Sequence, residues 1–293
     1  MKPSAGSPGK EGRPVYFPLV FLLGGLSISF ASIFIKLCRD VPSLVISAYR
    51  TSLVSLFLLP LFLGKFEKAS FNQVLMCLAS GTGLALHFAF WIASLKYTTV
   101  ASSLFIFSVY PFITAILARL FLRERVPANF VLGTLLALAG VGIIFSLDFS
   151  SAVLTKGNLL SLLGALAFSL YFLPGRVARR EMKLLEYLFL VYGWASLLLV
   201  LASFLAGEKF TGYSPKAYLY LVLLAVVSQG LGHSSFNWAL RYVKTGLVAL
   251  TTLVEPIGAT LLAWLMLGER VGTGKAVGMA LVGLGIFIAW LRE

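Results

Sequence analysis

Few residues in this chain have side chains able to do chemistry, and most of those lie deep within apolar runs. Glu255, Tyr110, His87, His233 and Arg50 fall well inside such runs, and Trp91 and Asn237 stand four residues after His87 and His233. A spacing of four returns to the same helix face, so His87 with Trp91 and His233 with Asn237 read as two matched pairs. Ionisable groups inside a membrane are costly, and they mark pathways, cavities or partners. A lone carboxylate there must be paired, protonated or wet, so Glu255 is expected to face a cavity. There it would act either as a proton-coupling group or as an anchor for a substrate ammonium. Arg50 has two readings, a cavity cation or a side chain snorkelling to the headgroups. The histidines are either cavity groups or neutral residues hydrogen-bonded in the core. Arg50, His87, Trp91, Tyr110, His233, Asn237 and Glu255 together form the candidate substrate site.

Enzyme chemistry is poorly served. The sequence has no HExxH, no Gly-Lys-Ser/Thr phosphate loop and no GxSxG, and two histidines and two cysteines set far apart make no convincing metal site. A non-enzyme without a cofactor is the expectation.

These residues must be positioned by membrane helices. The chain is 59% hydrophobic and 12% charged, against roughly 25% charged residues in soluble domains. Backbone polar groups in hydrocarbon must be satisfied internally, which takes about 20 apolar helical residues per crossing. Ten such spans are read, at 15–37, 43–64, 71–94, 98–122 and 128–147, then 157–177, 184–207, 216–240, 245–267 and 273–291. Residues 1–14 read as a flexible tail. The net charge of +13 does not point to nucleic acid, because the cations sit in short loops. With the N-terminus in the cytoplasm, 15 of the 24 Lys and Arg fall on that side, 8 opposite, and Arg50 within a span. That bias favours a multi-pass protein of the cell membrane with both termini cytoplasmic. The basic run from Arg176 to Lys183 is expected to be a solvated loop. Cys38 and Cys77 fall at opposite ends of their spans and cannot share a disulfide.

The chain is also written twice. Moved by 145 positions, residues 95–126 fall on 240–271 without a gap, matching Tyr97/Tyr242, Pro111/Pro256, Glu124/Glu269, Arg125/Arg270 and, further on, Gly133/Gly278 and Gly140/Gly285. The first helices match as well, LLGGLSIS from Leu22 against LLGALAFS from Leu162. Five spans per copy is an odd number, so the second copy must enter the membrane inverted, an arrangement found in secondary transporters with a site near the midplane. The fold class is thus an all-α integral membrane protein, ten transmembrane helices as two inverted five-helix repeats, 15–147 and 157–291. Tyr110 and Glu255 are repeat counterparts, each just before a proline that frees a carbonyl. Glu124 and Glu269, beside arginines at helix ends, read as caps or ion-pair members. The glycines at spacing seven, and Gly274 with Gly278, read as packing contacts within the chain, so no oligomer is implied.

The paired patterns PFITAILARLFLRERV and PIGATLLAWLMLGERV, each followed by a glycine-bearing last helix, resemble the EamA family of the drug/metabolite transporter superfamily. AYR at Ala48–Arg50 is similar to the arginine that family often carries in its second helix. The first copy departs in having Arg123 where the second has Gly268. The resemblance implies a ten-helix exporter or exchanger of small metabolites, with helices 1, 3, 4, 6, 8 and 9 around a central cavity. The expected function is secondary-active transport of small polar metabolites such as amino acids, with the lipid bilayer and a coupling proton as partners. A sugar-phosphate or nucleotide-sugar exchanger is the alternative, and a passive channel a further one.

Overall fold

The computed structural model describes residues 13–64, 69–98, 100–145, 155–267 and 270–291. The proposed tail up to residue 12, and Gly268 and Glu269, lie outside them. Every regular element among the described residues is helical. Ten helices are α1 (Phe17–Leu37), α2 (Ser43–Leu63), α3 (Phe71–Ser94), α4 (Val100–Phe107 and Tyr110–Leu122), α5 (Ala128–Ile144), α6 (Lys156–Arg179), α7 (Leu184–Leu205), α8 (Pro215–Ala239), α9 (Thr245–Thr251 and Val254–Leu267) and α10 (Thr273–Trp290). Nine are long and apolar enough to cross a membrane, and α5, at 17 residues, is the short one. Large apolar side chains such as Leu56, Phe121, Leu205 and Phe287 stand exposed on the outside, where a bilayer, not water, satisfies them.

Local sequence sets several helix starts. Ser70 and Gln73 form a reciprocal capping box at α3, and Thr155 and Ser214 hydroxyls accept backbone N–H groups at α6 and α8. Such caps satisfy donors that a helix leaves orphaned. The two prolines act as expected from their missing N–H. α4 breaks at Ser108–Val109 and resumes at Tyr110, and α9 breaks at Thr252–Leu253 and resumes at Val254. Arg123 ends α4 in the left-handed region, at φ 55°, the conformation for which Gly268 would be suited in the second copy.

The two copies pack through counterpart helices that run antiparallel. On α5 and α10, a Cβ at Gly140 would lie 2.5 Å from the Gly278 carbonyl oxygen, and Gly133 meets Gly285 in the same way. The early glycine of each helix therefore opposes the late glycine of the other. α2 and α7 do likewise, Ser52 to Ser196 and Phe62 to Phe189, and so do α4 and α9, Tyr110 to Ala249 and Glu124 to Thr245. Antiparallel counterparts are what an inverted second copy demands.

Two expectations need correction. The basic run is not simply a solvated loop: α6 continues through Arg179, which is 2% exposed, its Nε donating to the Asn237 carbonyl at 3.2 Å and its Nη1 to that of Met182. Positive charge predicts the side of the membrane, but it does not tell whether free helix-end carbonyls will take the guanidinium up. The eighth helix is also irregular, because Leu224–His233 is wound as a π-helix, a form seen mostly at functional sites.

Candidate functional site

Six of the seven candidate residues meet around one central cavity. Arg50, His87, Trp91, Tyr110, His233 and Glu255 all line it. The proline breaks explain two of them. Glu255 stands in the first turn of the resumed half of α9, where the helix dipole favours a carboxylate. Tyr110 stands at the same place in α4, its hydroxyl donating to the Ala249 carbonyl at 2.8 Å and so tying the two breaks together. Glu255 keeps part of its surface open, while Arg50, Trp91 and Tyr110 are buried.

Arg50 does not snorkel. It is 1% exposed, its Nε donates to Gln229 Oε1 at 2.8 Å, and its guanidinium carbon sits 4.2 Å from the centre of the Phe88 ring. Gln229 belongs to the π-wound turn of α8, so that irregular segment holds Arg50, the one Lys or Arg among the described residues lining the cavity. No ion pair joins Arg50 to Glu255. On α3, which is regular, the spacing of four behaves as expected: His87 and Trp91 stack with ring centres 5.9 Å apart, and His87 Nδ1 lies 3.2 Å from the Gly164 carbonyl.

Asn237 lies elsewhere. Its Nδ2 donates to Tyr171 Oη at 2.5 Å and to Tyr192 Oη at 3.2 Å, within a buried network between α6, α7 and α8. The π-winding stops at His233 and an α-helix begins at Ser234. A spacing rule built on one uniform helix therefore places Asn237 on the wrong face. The cavity also has walls not singled out from sequence, chiefly Phe88, Phe107, Phe168, Phe236 and Thr252. Nothing marks these among 24 phenylalanines until the packing is known.

The two ends of the molecule differ. At the end away from the termini, a vestibule is lined by Lys36, Arg39, Lys96 and Trp91 among others, with no carboxylate among its described lining residues. Trp91 belongs to both this vestibule and the cavity. At the terminus end, Glu124 Oε1 lies 3.3 Å from Arg176 Nε, and the same carboxylate accepts from the Thr245 backbone N–H (2.8 Å) and hydroxyl (3.0 Å). Arg176 Nη1 in turn donates to the Leu240 carbonyl. This tie joins α4, α6, α8 and α9. The repeat correspondence pairs Arg176 with Lys36 and Leu240 with Leu95, and both Lys36 and Leu95 line the open vestibule. Equivalent positions are thus hydrogen-bonded at one end, and no such bond joins Lys36 to Leu95 at the other.

A family model described as the EamA-like transporter family matches the chain twice, over residues 17–146 and 155–291. The chain belongs to the EamA-like transporter family. The two matches fall on the two five-helix units of this EamA-like protein. An "Uncharacterized transporter" of Archaeoglobus fulgidus is 24% identical over 202 residues, covering 69% of this chain and 71% of its own. "Solute carrier family 35 member G1" of Mus musculus is 26% identical over 256 residues, 81% of this chain and 68% of its own. A solved crystal structure superposes with a TM-score of 0.80 at 17% identity, covering 96% of this chain and 98% of that one, a likeness of fold alone. The protein is a multi-pass membrane transporter.

Proposed function

We propose that this EamA-like chain is a secondary-active carrier of the cell membrane, with cytoplasmic termini, that exports or exchanges small polar metabolites such as amino acids. The reading rests above all on one observation: the Arg50 guanidinium and the Glu255 carboxyl group line one cavity, and no ion pair joins them. Buried charges are normally matched, and a zwitterion set between the two would match both. The antiparallel copies supply the means, rocking one half against the other around the cavity so that it opens to each side in turn. A coupling proton has a ready carrier in Glu255. A sugar-phosphate or nucleotide-sugar exchanger is less well served, since Arg50 is the one cation lining the cavity. A passive channel fits poorly with helices of both copies joined at one end through Glu124 and Arg176.

The test is thermal stabilisation of the purified protein across a metabolite library. A ligand at 100 times its Kd adds about 2.7 kcal/mol to stability. Amino acids are expected to raise Tm; a rise confined to phosphorylated sugars or nucleotide sugars would replace this reading with the exchanger.

A further inference from the structure

Two buried N–H groups at the cavity have no hydrogen-bond partner: Arg50 Nη2 and Trp91 Nε1. Both belong to side chains that line the cavity and are almost wholly buried, at 1% and 4% exposure. Leaving a buried donor unsatisfied is unfavourable, more so when it is charged. Indole N–H groups in particular find partners when buried. Elsewhere in this protein they do: Trp194 donates to Thr82 at 2.9 Å and Trp290 to Thr251 at 3.0 Å. Trp91 departs from that pattern, and it lines the cavity.

Neither group can accept a hydrogen bond, since guanidinium and indole nitrogens only donate. Whatever completes them must present acceptor atoms. Arg50 also cannot lose its charge and has no carboxylate paired with it, so the acceptor must be anionic. A phosphate would call for further cations, and the cavity wall holds none. A carboxylate needs one guanidinium donor and one neutral donor. Arg50 is already oriented for that task, its Nε fixed by Gln229 and its face by Phe88.

We infer that Arg50 Nη2 and Trp91 Nε1 form a carboxylate subsite, and that Trp91 is the group a substrate carboxylate meets on leaving the vestibule. The inference rests on the carrier reading and narrows it: the substrate carries a carboxylate, and the remainder facing Phe107, Phe168 and Phe236 is apolar. The vestibule agrees with it, because Lys36, Arg39 and Lys96 without a lining carboxylate draw anions inward. Trp91 then links the two spaces, since it lines both.

The experiment compares apolar L-amino acids, leucine among them, with leucinamide and isopentylamine, which lack the carboxylate. Binding to the full-length protein is measured by calorimetry and thermal shift. Leucine or another apolar amino acid is expected to bind at least about tenfold more tightly than its amide or amine. Trp91→Phe keeps the ring and removes the N–H; it is expected to lower affinity for the acid about tenfold and leave that for the amide unchanged. A purely structural role would move both alike. Equal binding of acid and amide by the unaltered protein, or an equal loss of both in Trp91→Phe, overturns the subsite. Counterflow of a library compound that has no carboxylate overturns the subsite while the carrier stands. If no compound binds and none shows counterflow, both fall.

Discussion

Glu255 shows what depth along a helix can reveal and what it cannot. Counting residues places it near the middle of α9, and the proline behind it predicts the break that puts it in the first turn of a new helical segment. Arg50 was equally visible as a charge within a span. Which of its two readings held depended on Gln229 and Phe88, neighbours brought by α8 and α3 that no local spacing could supply. Asn237 was misplaced because the winding of α8 changes at His233, and no residue type announces a π-turn. The residue-scale prediction concerns Glu255→Gln, which keeps shape and hydrogen bonding but removes charge and titration. Transport is expected to fall at least about tenfold, the factor that follows from about 1.4 kcal/mol of lost interaction. If Glu255 couples a proton, counterflow survives while pH-driven uptake is lost; if it anchors an ammonium, both are lost. Normal transport from pH 5.5 to 8 would leave Glu255 with a structural role only.

At the scale of elements, the hydrophobic runs located all ten helices, since a bilayer admits little else. The glycine pattern identified α5 and α10 as packing helices, but not as each other's partners. That required the two copies to be set antiparallel. The pattern also drew in Gly274, whose position has nothing within 4 Å to meet an added Cβ. The contrast yields a prediction. Gly140→Ala forces a methyl against the Gly278 backbone, where a neighbour cannot rotate aside, and overpacking of this kind costs about 1–3 kcal/mol. Its Tm should drop clearly below that of the unaltered protein. Gly274→Ala is the control, with Tm unchanged or slightly raised. A fall of the same size in both would mean that the α5–α10 contact does not set the result. Arg123 teaches the converse: a motif position that favours glycine can still hold its left-handed turn with another residue, so the missing glycine did not mean a missing helix end.

For the whole molecule, the doubled sequence points to two units in inverted orientation, while the inequality of the two ends had no sequence sign. Lys36 and Arg176 occupy equivalent positions, yet one stands in an open vestibule and the other holds Glu124. Orientation is tested with cysteines at Arg180, on the terminus end, and at Lys209, on the other, in a background lacking Cys38 and Cys77. In right-side-out membranes an impermeant maleimide is expected to label the cysteine at 209 and spare that at 180. Labelling of 180 from outside would reverse the topology. The Glu124–Arg176 tie carries a further consequence, one of thermodynamic bookkeeping between the faces of the membrane. An interaction made only while the terminus end is shut contributes nothing to the intrinsic affinity of the cavity. It contributes to the ratio of the two populations, and each face reads an affinity scaled by the fraction of molecules open towards it. Glu124→Gln should therefore change the ratio of the apparent affinities measured from the two sides, by about tenfold for each 1.4 kcal/mol the tie is worth, and tilt the carrier towards the side that the tie had kept closed.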